Sequence, residues 1–175
     1  MSLSNITNVA GLLSDLKARN FDATRVPVDV EGIAQLYGVV IDDQYHPEYA
    51  DKLATVQGNK IWINPVDANE YTALRRHIIA HELGHIVLHK PNGQPLHFMD
   101  TSQSLRGIGV DVPAEEIACN ELAAELLIPF NSLVELLKSE RNLITGDGKK
   151  ILQRVAEVFD VPVSLVEQRF ALLAN

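Results

Sequence analysis

Two histidines interrupt the apolar stripe of a long predicted helix, and this feature constrains the fold more than any other. The stripe consists of Leu74, Ile78, His81, His85 and Leu88. Side chains four residues apart lie on one face of a helix, so both imidazoles project into the same interface. Burying two imidazoles without polar partners is unfavourable. A metal ion bound by both rings would give them a shared partner.

The residue after the first histidine adds a base to this arrangement. The segment reads His81-Glu82-Leu83-Gly84-His85, which has the H-E-x-x-H pattern. Glu82 lies about a quarter turn from His81, so it reaches a metal-bound water without acting as a ligand. Zinc lowers the pKa of such a water, and the carboxylate accepts its proton. A chance match is expected in about one chain of this length in a few hundred.

The third metal ligand is expected on the helix predicted for residues 113–129. A catalytic zinc usually has three protein ligands and one open position. Glu115 and Glu116 both point toward the apolar side of this helix, and their spacing does not choose between them. Asn120 lies one turn after Glu116 and is a candidate hydrogen-bond partner of a ligand. Cys119 is small and apolar enough to pack against the histidine helix.

The remaining periodicity predicts an α+β fold that is mostly helical. A small antiparallel sheet of about three strands is expected before the histidine helix, and its hairpin turns at Gly58-Asn59. We expect an edge of this hairpin to receive an extended substrate. The long segment 90–112 lacks periodicity and is assigned to a loop. The predicted helices cover residues 5–19, 30–37, 67–89, 113–129, 131–140, 149–159 and 164–173; the predicted strands cover residues 39–42, 53–57 and 60–64.

Composition and charge exclude several classes of protein. Apolar residues make up 46% of the 175 residues and charged residues 22%, which is typical of a folded domain. No apolar run has the ~20 residues of a membrane helix, and neither a secretion signal nor a cysteine pair is present. We therefore expect a cytoplasmic protein with no membrane partner. The net charge of −8 opposes nonspecific binding to phosphate.

Several other polar residues have possible roles that the sequence leaves open. Oxyanion stabilisation is conceivable for His46, His97, Tyr45 or Tyr49, although each is more simply a surface residue. His89 continues the four-residue spacing, and helix capping or support of a ligand is favoured over ligation. Residues 152–169 are similar to a helix-turn-helix. Their acidic residues Glu157, Asp160 and Glu167 favour a structural helix pair, so direct nucleic-acid binding is not expected.

The two central motifs resemble those of the ImmA/IrrE family of zinc metallopeptidases. Residues 75–89 resemble the active-site helix of that family, and residues 116–129 resemble its second motif. In the second motif Cys119, Leu122 and Ile128 replace the usual Ala, Phe and Met. The resemblance extends over about residues 26–170. It implies a zincin-like fold and selects Glu116 as the third ligand beside His81 and His85.

The resemblance also implies a function and a division of the chain. We expect one metallopeptidase domain over residues 1–175, with an N-terminal helix in 1–25, a catalytic core in 26–130 and C-terminal helices in 131–175. Zn²⁺ is the expected cofactor. The implied substrate is a partner protein, such as a helix-turn-helix repressor of a mobile element, a stress regulator or an antitoxin. The alternative is a non-proteolytic metal-binding regulator or toxin that acts through protein or DNA binding by its C-terminal helices.

Overall fold

The structure is a computed structural model that describes residues 6–65, 72–89, 97–100, 113–140 and 148–174. A small sheet packs against helices, so the predicted α+β class is confirmed. A short 3-10 helix, Pro47–Tyr49, follows the first strand. The other elements, in chain order, are α1 (Val9–Ala18), α2 (Val30–Leu36), β1 (Val40–Asp42), β2 (Ala54–Gln57), β3 (Lys60–Ile63), α3 (Thr72–Leu88), β4 (His97–Asp100), α4 (Ala114–Leu127), α5 (Phe130–Ser139), α6 (Gly148–Phe159) and α7 (Val163–Ala174).

The sheet has four strands in the order β1-β3-β2-β4 and is mixed. Strand β2 is antiparallel to β3 and to β4, whereas β1 pairs with β3 in parallel. The three predicted strands are present and β4 is a fourth, but the prediction of a purely antiparallel sheet is wrong because β1 is parallel to β3. The turn at Gly58, whose φ is +62°, fixes only the β2–β3 hairpin. The direction of β1 depends instead on the connection through residues 43–53, which crosses over before the hairpin.

Strand β4 lies inside residues 90–112, for which the sequence predicts a loop. It pairs along its whole length with β2, from Gln57 opposite His97 to Ala54 opposite Asp100. Four residues are too few to show a period of two, so only the pairing partner reveals the strand. Both hairpin strands are thus paired on both sides, and the prediction of a free hairpin edge is wrong. Among the described strands, β1 and β4 are the outer ones.

The inner face of the β2–β3 hairpin rests on α3 and is fully buried. Helix α3 packs on β2 and β3, α2 packs on both β1 and α3, and α4 runs along α3. The outer face carries polar and aromatic side chains, including Thr55, Lys60 and Trp62. The buried side chains that face the helices from the hairpin are Ala54, Val56, Ile61 and Ile63. This arrangement places one face of α3 against the sheet and leaves another for α4.

Local signals at α2 confirm the predicted helix ends. The side chain of Asp29 accepts a hydrogen bond from the Gly32 backbone N–H at 2.9 Å, which is the expected N-cap. Gly38 follows the helix with a φ of +71°, the left-handed conformation that glycine adopts without strain. The start predicted for the histidine helix, at residues 67–70, lies outside the described residues.

Helix α7 packs on α4, which carries Glu116, and α6 packs on α7. Arg76 of α3 donates from Nε to the Asp160 carbonyl at 3.0 Å, between α6 and α7. Asp160 has a φ of +51°, so this aspartate adopts the turn conformation in which a helix-turn-helix usually has glycine. Arg169 of α7 is 5% exposed and donates to the Ile128 carbonyl at 3.1 Å. The positive charge of α7 is therefore directed inward at this position.

Among the described residues, no single helix has the length and apolar character needed to cross a membrane. Helices α4 and α5 meet that requirement only as a pair, and the pair is bent by 53° at the break between them.

Candidate metal centre

The close approach of α3 and α4 depends on a glycine that the sequence analysis did not single out. A Cβ built on Gly84 would lie 3.0 Å from Cys119 Cα and 3.1 Å from Cys119 Cβ. Carbon atoms rarely approach so closely, so only glycine fits this contact without a shift of α4. The small Cys119 was predicted to permit the approach, and Gly84 is its counterpart on α3. The sequence itself contains a signal for this role, because Gly84 lies between His81 and His85 on the helix.

Three polar side chains converge at this helix contact. The Nε2 atom of His81 lies 3.1 Å from Glu116 Oε2 and 3.2 Å from His85 Nε2. His85 Nε2 lies 3.5 Å from Glu116 Oε1. Ligand atoms around a tetrahedral zinc are separated by about 3.3 Å, given bond lengths of about 2.0–2.1 Å. These side chains therefore fit a metal ion, whereas Glu115 is exposed on α4.

The protonation of His81 makes a cation between these groups favourable. Its Nδ1 donates to Asn120 Oδ1 at 3.0 Å, so a neutral ring presents a lone pair at Nε2. That lone pair faces a carboxylate oxygen and the Nε2 atom of His85. Both rings are fully buried, and the side chain of Glu116 is 12% exposed. Electron-rich atoms at these separations repel one another unless a proton or a metal ion lies between them.

Asn120 holds the orientation of His81, and this contact gives a testable prediction. Asn120→Leu removes the acceptor at Nδ1, so metal affinity should fall by about 10–100-fold. Asn120→Asp keeps an acceptor at the same place and is the matched control. Competition with a chromophoric chelator measures both affinities. Equal affinities of wild type and Asn120→Leu would contradict the positioning role.

The other histidines of α3 differ in their surroundings. His77, one turn before His81, is 2% exposed, and burial together with the neighbouring His81 lowers its pKa to about 3. It is therefore neutral and adds no positive charge beside the group. His89 lies just after α3 and is half-buried. Glu82 is 1% exposed, so the predicted base lies within the buried part of α3 beside His81.

Two residues considered for oxyanion stabilisation lie on the outer face of the sheet. His46 and Tyr49 pack against Trp62, with ring centroids 6.0 Å and 5.2 Å from the indole. They line a pocket of about 210 Å³ with Asp42 and Lys60, on the opposite side of the sheet from α3. The structure does not bring them to the three converging side chains. Tyr45 is 59% exposed, and His97 is the first residue of β4.

This fold and this group of side chains define the class of the protein. A helix with the H-E-x-x-H pattern lies under a small sheet, and a second helix brings a glutamate to both histidines, as in metallopeptidases. Residues 40–171 match the profile of the family Peptidase_M78, which is described as the IrrE N-terminal-like domain. The chain belongs to this family, which confirms the resemblance found in its motifs. A search of curated proteins finds no match.

Proposed function

We propose that the protein is a zinc-dependent endopeptidase that cleaves a specific partner protein. His81, His85 and Glu116 would hold the zinc ion, and Glu82 would act as the general base. The observation that carries this proposal is the convergence of two Nε2 atoms and a carboxylate at 3.1–3.5 Å. Family membership supports peptidase activity of the metallopeptidase type.

Each residue of the group has a distinct task in this proposal. Bound zinc would supply a Lewis acid that lowers the pKa of a water molecule to about 7. Glu82 would accept a proton from the attacking water on its carboxylate and would donate that proton to the leaving amine nitrogen. Asn120 holds His81 in the tautomer that directs the Nε2 lone pair toward Glu116 and His85, where the metal would bind. The burial of both histidines keeps the electrostatic interactions strong.

The arrangement around α3 favours one location for the substrate. Helix α2 packs on β1 and α3, so it fills the space beneath that side of the sheet. Strand β4 is the outer strand on the other side, next to β2. An extended peptide would add to the edge of β4 as a further strand.

Proline substitutions test this location. In an edge strand, alternate residues direct their N–H groups outward. Phe98 and Met99 are neighbours, so the backbone N–H of one donates a hydrogen bond to β2 and that of the other points away from the sheet. Proline at the first position removes a hydrogen bond of the sheet and lowers the free energy of unfolding, whereas proline at the second removes only an outward N–H. The latter should keep wild-type stability but bind substrate more weakly, with a raised KM. If cleavage by both variants simply follows the folded fraction, the peptide binds elsewhere.

A DNA-binding repressor or antitoxin is the proposed substrate, with both proteins in the cytoplasm. Such partners carry basic surfaces for phosphate contact. The net charge of −8 on this chain favours encounter with a basic partner. The role in transcription regulation or in a toxin–antitoxin pair follows from the family resemblance.

The competing function is a metal-binding regulator that acts through its C-terminal helices. The charges of these helices favour the peptidase proposal over DNA binding. Arg154 pairs with Glu140 at 2.7 Å, and Arg169 is buried and lies 3.3 Å from Glu125. These arginines are therefore engaged within the protein rather than offered to phosphate.

Cleavage of a peptide library in isotopically labelled water tests the proposal. Hydrolysis leaves the labelled oxygen in each new carboxyl terminus, which mass spectrometry detects. We expect labelled products with the zinc-loaded protein and none after chelation, with recovery when zinc returns. Absence of labelled products from the zinc-loaded protein, both with the library and with proteins that co-purify, would favour the regulator.

A further inference from the structure

A second group of metal-ligating side chains lies one turn further along α3. One ligand atom from each of His85, His89 and Cys119 lies within 4.8 Å of the other two. His85 and Cys119 are fully buried, and His89 is half-buried. The group shares His85 with the first one but contains a thiol in place of the carboxylate.

The backbone holds these three side chains in place. His85 and His89 are four residues apart, and their ring centroids are separated by 5.7 Å. The thiol belongs to α4, and the contact between Gly84 and Cys119 fixes the two helices beside this turn. Little movement is needed to bring two imidazoles and one sulfur to a common centre, because sulfur and nitrogen ligands of zinc are about 3.5 Å apart.

We propose that His85, His89 and Cys119 form a second metal site, for a thiophilic divalent ion such as Zn²⁺. Thiolate and imidazole ligands select such ions over Mg²⁺ or Ca²⁺, which prefer oxygen. The thiol of Cys119 releases its proton to solvent as the sulfur–metal bond forms. The ion enters from the side of His89, the most exposed of the three ligands.

Sharing of His85 couples this site to the first one. To bind an ion at each of its two nitrogens, the His85 ring must also release its remaining N–H proton to solvent. The two divalent ions on this ring repel each other, and the second ion also competes for the orientation of the ring. Binding at the Cys119 site therefore weakens binding at the site of His81 and Glu116. An excess of zinc should inhibit any activity that depends on the first ion.

Cobalt titration of the metal-free full-length protein tests the second site without an activity assay. Co²⁺ bound to thiolate gives an intense near-ultraviolet charge-transfer band, whereas Co²⁺ bound only by nitrogen and oxygen does not. Wild type should bind about two ions per chain and show this band at the higher cobalt concentrations. Cys119→Ser should bind about one ion and lack the band.

Two further variants keep the result interpretable. His89→Gln changes a half-buried residue, so it should fold normally and bind about one ion fewer than wild type. Glu116→Gln should weaken the first site and keep the sulfur band, which separates failure of the second site from failure of the proposed peptidase site. A wild type without the band, or a band that survives in Cys119→Ser, would overturn the proposal.

Discussion

Replacement of Glu82 by glutamine is expected to lower peptide cleavage by about 10²–10⁴-fold and to leave the metal content unchanged. Glutamine has nearly the same shape as glutamate, but it cannot accept a proton at neutral pH. The side chain is buried in α3 beside His81 and is not one of the three converging ligands. The proposed base is therefore removed, while the atoms proposed to hold the metal remain.

The experiment compares cleavage and zinc content in the same preparations. Glu121→Gln is the matched control, because Glu121 is an exposed glutamate on α4. It should cleave like wild type. A Glu82→Gln variant with wild-type cleavage would show that another group takes the proton. Loss of zinc from this variant would instead mean that Glu82 helps to hold the metal.

Replacement of Gly84 by valine is expected to lower the free energy of unfolding by about 1–3 kcal/mol or more. The new Cβ would lie 3.0 Å from Cys119 Cα, which is backbone and cannot turn aside as a flexible side chain can. Helix α4 must then move away from α3 and carry Glu116 away from the histidines. The variant should therefore also bind zinc more weakly than wild type.

Urea unfolding of the metal-free protein measures the change in the free energy of unfolding without any contribution from metal binding. Gly148→Val serves as the comparison, since no atom of the described residues lies within 4 Å of a Cβ at that helical glycine. Its free energy of unfolding should change by less than about 1 kcal/mol. Similar losses in the two variants would mean that the tight helix contact has no special role.

The sequence predicts the histidine helix well because its signal is local. The spacing of His81 and His85 and the identity of Glu82 depend only on helical periodicity. The choice between Glu115 and Glu116 depends on how α4 is rotated against α3. That rotation is set by the contact between Gly84 and Cys119, which no pattern within α4 reveals. The choice of Glu116 came from the family resemblance, and the structure brings this residue to both histidines.

The sheet was harder to predict because its pairing is not local. The hairpin has a turn signal at Gly58, whereas the parallel strand β1 and the outer strand β4 have none. Strand β4 is four residues long and lies in a segment with several Gly and Pro residues. Its existence depends on hydrogen bonds to β2, and these require the folded sheet. This strand also changes the predicted substrate edge from the hairpin to β4.

Elemental analysis of the purified protein tests the central claim most directly, which is that His81, His85 and Glu116 hold zinc. Wild type and Glu116→Ala are saturated with zinc and freed of unbound metal before the measurement. The account predicts about one zinc per chain fewer in Glu116→Ala than in wild type, with both proteins folded. Equal zinc contents in the two proteins, or no zinc in folded wild type after zinc is supplied, would contradict it.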